Sequence, residues 1–462
     1  MSSTILETRT ELKPWQQAAV DKLSKLRVGA LYMDMGTGKT RTALELAKTR
    51  IAKNKIDRVL WLCPYSIQKN ITDDFDKHCV KWDHIIKICG IETLSSSVKA
   101  NAELLQYVSN NRVFLVVDES SLVKNHKALR SESIERIAMK CPYRVILNGT
   151  PISKNEKDLY MQWRILDWRI LGYQSFWSFS ANHIEYDDRG RVRRCLNVST
   201  LTDKIAPYTY QVKREECMTL PEKEFYRISY DIGDRRQQYI NVMDDYLNYL
   251  DERDPSTLYK LFTALQLVVS GKDILSSPSD PLWSVSVFEN QQDNPRIQCL
   301  IEVILDYIGS EKCIIFCKYT EEIKDIFQIL INRGYKATKF YGGMSKKQRD
   351  ASIKMYRDDA QFFIANKSCA AFGLNLQFCH NEIFYSNDWD YATRIQAEDR
   401  VHRLGQENIV NIYDIYADGT IDERIIECLS RKEMLLDSFQ RKIKENTITK
   451  DVLKELLCRK SI

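Results

Sequence analysis

The stretch Ala30-Leu31-Tyr32-Met33-Asp34-Met35-Gly36-Thr37-Gly38-Lys39-Thr40 runs from a short apolar strand through a glycine turn into a helical pattern, marked by Ala43, Leu44, Ala47 and Ile51. Strand, glycine turn and helix in that order can cradle phosphate. Glycines let backbone amides curl round oxygens, and the helix N-terminus adds positive potential. On this reading Met35, Gly36, Thr37 and Gly38 line the cradle, Lys39 reaches the outer phosphates of ATP, and the Thr40 hydroxyl binds Mg2+. Met33 stands where the strict pattern has its first glycine. The competing reading is a chance glycine turn, and the ordered context weighs against it.

A second stretch strengthens the first. Val113-Phe114-Leu115-Val116-Val117 runs apolar into Asp118-Glu119. Two carboxylates at the carboxyl end of a buried strand suit a metal–nucleotide site, with Asp118 holding Mg2+ through water and Glu119 orienting and deprotonating the attacking water. Alone, the pair reads equally well as a solvated strand end.

Strands and helical patterns alternate in two separate stretches, which predicts an α/β fold with parallel sheet twice over. The first stretch offers strands at Ala30–Met33, Val59–Cys63, Val113–Val117 and Val145–Leu147. The second offers Cys313–Cys317, Ala337–Tyr341, Phe362–Ala365, Glu382–Tyr385 and Val410–Ile415. Between about Ile152 and Pro295 the pattern turns helical and aromatic, and Pro255, Pro278, Pro281 and Pro295 punctuate its end. The expected division is 1–215 for a first lobe, 216–292 for a helical protrusion and linker, 293–430 for a second lobe and 431–462 for a helical brace.

Gln396, Arg400 and Arg403 fall at i, i+4 and i+7, the spacing of one helical face. Arginines delivered to a γ-phosphate from a second lobe accelerate transfer by about 10³–10⁵. On spacing alone, an ordinary surface helix with the arginines paired to Glu398 or Asp399 is an equal reading.

Composition bounds the rest. The 462 residues are 44% hydrophobic and 28% charged, a globular balance. No stretch nears the roughly 18 apolar residues of a membrane span, and Met1–Lys13 has no signal-peptide core, so a cytoplasmic location is expected. Thirteen scattered cysteines suit a reducing compartment. Zinc through Cys313/Cys317 or His78/Cys79 lacks a second ligand pair. A net charge of +5 neither demands nor excludes nucleic acid.

Several stretches together resemble the Swi/Snf family of helicase superfamily two. In the first lobe these are Leu12-Lys13-Pro14-Trp15-Gln16, Leu62-Cys63-Pro64, Asp118-Glu119-Ser120-Ser121 and Leu147-Asn148-Gly149-Thr150-Pro151-Ile152. In the second they are Gly373-Leu374-Asn375-Leu376, the run Gln396-Ala397-Glu398-Asp399-Arg400-Val401-His402-Arg403-Leu404-Gly405-Gln406, and Gly419-Thr420-Ile421-Asp422-Glu423. The resemblance implies two RecA-like lobes with helical inserts between them, Gln16 reading adenine, Gly373 and Gln396 at the ATP cleft, and Arg400 and Arg403 as fingers. It further implies an ATP-hydrolysing, Mg2+-dependent motor that moves along double-stranded DNA as a monomer and remodels protein–DNA complexes. A strand-separating DNA or RNA helicase is the alternative, and an inactive scaffold that binds DNA or protein is the alternative of another class. The short length is that of minimal viral and prokaryotic members, which would place the protein in a host-cell cytoplasm if viral; a nuclear location is the other option.

The same resemblance offers DNA contacts at Tyr65, Lys69, Gly149 and Thr150, and in the second lobe at Lys318, Gly343, Lys367 and Ser368. Departures fall at Ser121 for a histidine, Asn148 for threonine or serine, and Ala370-Ala371 for a glycine pair. Arg189-Gly190-Arg191-Val192-Arg193-Arg194 reads equally as a DNA contact through Arg191, Arg193 and Arg194, a partner-binding surface, or a solubilising loop balanced by Asp187 and Asp188. The aromatic run Trp163, Trp168, Tyr173, Phe176, Trp177 and Phe179 has helical spacing and reads as packing rather than base stacking.

Overall fold

The computed structural model of the chain describes residues 5–149, 156–186, 192–217, 219–250, 255–367, 374–431 and 450–458. The chain divides into two units, Met1–Thr219 and Leu220–Ile462.

In the first unit the apolar runs form β1 (Val28–Met33), β2 (Arg58–Cys63), β3 (Ile86–Gly90), β4 (Val113–Val117) and β5 (Tyr143–Asn148). A two-stranded hairpin, β6 (Ile184–Tyr186) and β7 (Val192–Cys195), and then β8 (Thr209–Val212) complete it. Six of these pair in the order β3-β2-β4-β5-β1-β8, every neighbour parallel. Parallel neighbours need crossovers, and helices on both faces supply them. Val28, Ala30 and Tyr32 of β1 face a cluster that includes the helices Val98–Asn110, Leu129–Ala138 and Leu159–Leu171. Leu31 and Met33 face the opposite cluster, with the helices Pro14–Leu23, Lys39–Ala52 and Gln68–His78. Of the aromatic run, Trp163 and Phe179 are core, and Tyr173 and Phe176 pack at its margin. Trp177 departs from the packing expectation, with 83% of its surface exposed.

The second unit opens with β9 (Lys223–Tyr230) and a hairpin of β10 (Lys272–Ile274) and β11 (Ser284–Ser286). Its sheet strands follow as β12 (Cys313–Cys317), β13 (Ala337–Phe340), β14 (Phe362–Asn366), β15 (Asn381–Phe384) and β16 (Val410–Ala417). The sheet order is β13-β14-β12-β15-β16-β9, again parallel throughout. Cys313 and Cys317 point into one covered face of this sheet, and burial pushes both thiols well above their usual range. That is the setting of small hydrophobes rather than metal ligands. A separate cluster joins the helices Arg235–Asn248, Pro255–Val269, Ile421–Ser430 and Lys450–Cys458.

Two corrections follow. The stretch read as helical between the sheets contains β8 and β9, each an outermost strand. An edge strand has one laddered side and tolerates polar residues such as Thr209 and Gln211, or Lys223 and Glu224, which mask the apolar signal. β3 was also unread, because Ile86-Lys87-Ile88-Cys89-Gly90 is short and interrupted by a lysine. Among the described residues no helix is long and apolar enough to cross a membrane.

The second unit carries a buried ion pair between Arg296 and Asp422, whose side chains are 1% and 4% exposed. Arg296 also donates to the Ser270 hydroxyl at 2.9 Å. Asp422→Ala leaves the guanidinium without its counter-charge in the core. Urea unfolding of this variant is expected to show a stability loss of about 3–5 kcal/mol; an unchanged midpoint would mean that water compensates the arginine.

Candidate nucleotide site

The carboxyl ends of β1, β4 and β5 lie side by side, because β5 pairs with both of the others. This is the edge at which open α/β sheets bind ligands. The loop after β1 needs two glycines in the left-handed region, Gly36 at φ 81° and Gly38 at φ 88°. Gly38 is further constrained by its neighbour: a Cβ there would lie 2.0 Å from Gln16 Nε2. Gln16 and Trp15 both donate to the Thr37 carbonyl, at 3.1 and 2.9 Å, and so fasten the helix Pro14–Leu23 to the loop. Trp15 went unread as a site residue, although it stands beside Gln16.

Lys39 opens the helix after the loop, and its ammonium donates to the carbonyls of Met33 at 2.7 Å and Asp34 at 3.2 Å. The lysine therefore already lies over the glycine turn. A phosphate oxygen is a charged acceptor and forms the stronger bond. Met35 on the loop and Thr40 in the first turn of the helix are half-buried.

Asp118 and Glu119 follow β4. Burial, with the Glu119 carboxylate adding to it, pushes Asp118 up to about 7, while Lys39 draws it the other way. Glu119 sits at φ 53°, a left-handed conformation uncommon for a residue with a side chain, and its amide donates to Asp118 Oδ1 at 3.0 Å. Strain of this kind concentrates at functional sites. Asp118 is a buried carboxylate beside a second carboxylate. With the Thr40 hydroxyl it offers the hard oxygen donors that Mg2+ takes alongside water and phosphate.

Gly149, expected at DNA, lies against the loop instead: a Cβ there would be 3.7 Å from Lys39 Nζ and 3.8 Å from the Met35 amide. Behind it, Asn148 donates to Ser120 Oγ at 3.4 Å, and Ser120 donates to Gln162 at 2.6 Å. The unusual Asn148 thus belongs to a buried network that reaches the Asp-Glu turn. Ser121 lies 3.5 Å from Glu119 Oε1. Tyr65 is exposed and donates its amide to Glu92 at 2.9 Å, and Lys69 is exposed on the following helix.

In the second unit the helix Tyr391–Glu398 ends before either arginine, so the expected single helical face is wrong for Arg400 and Arg403. Gln396 lies on the helix, whereas the arginines lie in the loop after it. The Arg400 carbonyl accepts from the Leu376 amide at 3.1 Å. Arg400 is buried, and Arg403 donates to Asn375. Glu398 pairs with Arg394 and Lys223, at 2.7 Å each.

Lys367 is another correction. It is 3% exposed, its ammonium reaches Asn387 Oδ1 at 3.3 Å, and burial pushes it down to about 7. Lys318 donates to Gln266 and lies 3.6 Å from the Trp389 ring centre, with burial pushing it down to about 8. Neither is a surface charge waiting for a phosphate, because both follow buried strands into a polar pocket of the unit. Gly343 is exposed in the turn after β13. Arg193 and Arg194 are exposed and both pair with Glu185, at 2.9 and 2.5 Å. Thr150, Ser368, Gly373, Arg191 and the Ala370-Ala371 pair lie outside the described residues, as do Asp187, Asp188, Arg189 and Gly190.

Two family descriptions match the chain, the SNF2-related domain over residues 80–241 and the helicase conserved C-terminal domain over residues 295–405. A putative ATP-dependent helicase/translocase, YwqA, of Bacillus subtilis is 26% identical over 96% of this chain. The TATA-binding protein-associated factor mot1 of Aspergillus fumigatus is 22% identical over 90% of it. The chain spans 50% of the Bacillus protein and 26% of the Aspergillus protein. The Sulfolobus solfataricus SWI2/SNF2 ATPase core, solved in complex with dsDNA, is 20% identical and is matched over 98% of both chains at a TM-score of 0.41. Two parallel α/β units, a glycine loop with its Asp-Glu partner, and the two matched domains in sequence order assign the protein: it belongs to the Swi/Snf family of superfamily-two ATPases.

Proposed function

We propose that the protein hydrolyses ATP at the β1 loop and uses the cycle to move along double-stranded DNA, displacing bound proteins or remodelling DNA structures. The observation that carries this reading is the shared carboxyl edge of the first sheet, where Lys39 follows β1 and Asp118 and Glu119 follow β4, with β5 pairing to both strands. Family membership and the helicase/translocase description of the Bacillus relative support a nucleic-acid track.

The chain's own groups account for the chemistry. Lys39 exchanges its carbonyl partners for the outer phosphates, and the loop amides and helix N-terminus hold the remaining oxygens. Glu119 orients a water and takes its proton, a role that its left-handed backbone serves by projecting the carboxylate from the turn. Magnesium, held by Thr40 and, through water, by Asp118, would neutralise charge building on the phosphate. Arg400 and Arg403 are the candidates for further positive charge at the γ-phosphate, and the hydrolysis cycle alternates the grip along one strand. Phosphate contacts dominate such a grip, because a motor must not read sequence.

Lys39→Ala is expected to abolish DNA-stimulated phosphate release, and Glu119→Gln to lower it by about 10²–10⁴-fold, both with an unchanged circular dichroism spectrum. Wild-type turnover in either variant would remove the site assignment. Arg400→Ala is expected to lose about 10³-fold or more in turnover while still binding a fluorescent nucleotide; a parallel loss of binding would make the arginine structural. Triplex displacement without fork unwinding, measured on matched substrates, is the result expected of a duplex translocase. Unwinding of the fork would reassign the protein as a strand-separating helicase.

A further inference from the structure

The loop that carries Arg400 and Arg403 is tied to the first residues of the second unit. His402 Nε2 lies 2.7 Å from the Pro221 carbonyl and donates to it. Lys223 donates to Glu398 Oε2 at 2.7 Å and lies 4.0 Å from Asp399 Oδ1. Between them, the Glu222 carbonyl accepts from the Val410 amide at 3.0 Å. Three consecutive residues of the segment that leads out of the first unit are thus bonded to residues on either side of Arg400, or to β16.

These bonds sit on a buried charged foundation. The other oxygen of Glu398 accepts from Arg394 Nε at 2.7 Å, and Arg394 forks onto both oxygens of Asp414 at 2.6 and 3.0 Å. Arg394, Glu398 and Asp414 side chains are all under a tenth exposed. Glu382 of β15, fully buried, faces the same group of charges, and burial raises its carboxyl well above the usual range. Bidentate and buried pairs have one good geometry, and a packed interior resists intermediate positions. Moving residues 221–223 therefore either carries residues 398–402 along or breaks both tethers.

We propose that Pro221, Lys223, Glu398 and His402 form a latch through which the connection from the first unit sets the position of Arg400 and Arg403. Lys223 and His402 are positioning residues in this scheme. They act through the arginines. A change in the course of the connection is passed to the arginine loop directly. The inference rests on the reading of the two arginines as γ-phosphate groups.

The test uses the full chain with ATP and duplex DNA. His402 is half-buried, so the thermal midpoint is measured beside the rate. His402→Ala is expected to lower kcat by about 10–10²-fold with KM for ATP, nucleotide affinity and thermal midpoint unchanged. His402→Gln, whose amide still donates to the Pro221 carbonyl, is expected to restore most of the rate. Lys223→Met is expected to show the same kcat loss, and Lys223→Arg little of it. In an Arg400→Lys background, His402→Ala should add no further loss. Wild-type kcat in His402→Ala, an equal loss in His402→Gln, or full additivity on Arg400→Lys overturns the latch. If Arg400→Ala itself turns over at the wild-type rate, the reading of the arginines fails; if Arg400→Ala is inactive while His402→Ala is fully active, only the latch fails.

Discussion

A parallel sheet covered on both faces leaves its polar chemistry nowhere to go but its ends. In the first unit both faces of β1, β4 and β5 are apolar, and the adjacent strands release their chains at one edge. The glycine loop, the Asp118-Glu119 turn and Gly149 meet there because strand order puts them there. The left-handed glycines, the raised Asp118 carboxyl and the strained Glu119 are all consequences of crowding polar groups onto that edge. The same rule in the second unit gathers Lys318, Lys367 and Asn387, where it yields buried bonds in place of an open site.

The contact between Gln16 and the loop shows how tightly one choice constrains another. The glutamine amide occupies the space that a Cβ of residue 38 would need, so Gly38 is required both by its backbone and by its neighbour. Gln16 is held in turn from the Lys13 amide at 3.0 Å, and Trp15 shares the Thr37 carbonyl. A helix preceding the first strand thereby becomes part of the loop's own architecture.

Central strands and the phosphate loop were legible in the sequence because their signals are local: an apolar run, two glycines, a charge at a strand end. Edge strands were not, since β8 and β9 draw their stability from a single neighbour and keep polar side chains. The break after Glu398 was hidden because Gln396, Arg400 and Arg403 keep helical spacing in a chain that has left the helix. Past the helix end the Arg400 carbonyl pairs with the Leu376 amide, remote in sequence and invisible to periodicity. Burial misled in the other direction for Lys367, whose neighbours Asn387 and Phe384 arrive only with the fold. Arg394 and Asp414 carry no motif that a single sequence reveals, although the i, i+4 relation to Glu398 was present.

The position of β9 has a consequence for how the second unit is made. Among the described residues it is the first strand of that unit to leave the ribosome, yet its only sheet partner is β16, the last, with Lys223 beside Val410 and Tyr230 beside Ala417. Loop closure over so long a separation is entropically costly, and such non-local pairings form late. During synthesis the nascent β9 therefore waits with an unsatisfied ladder and aromatic side chains such as Phe225 and Tyr226, a period in which chaperone capture competes with misassembly. Once β16 arrives, the same pairing closes the sheet, and its earliest and latest strands become mutually dependent for order.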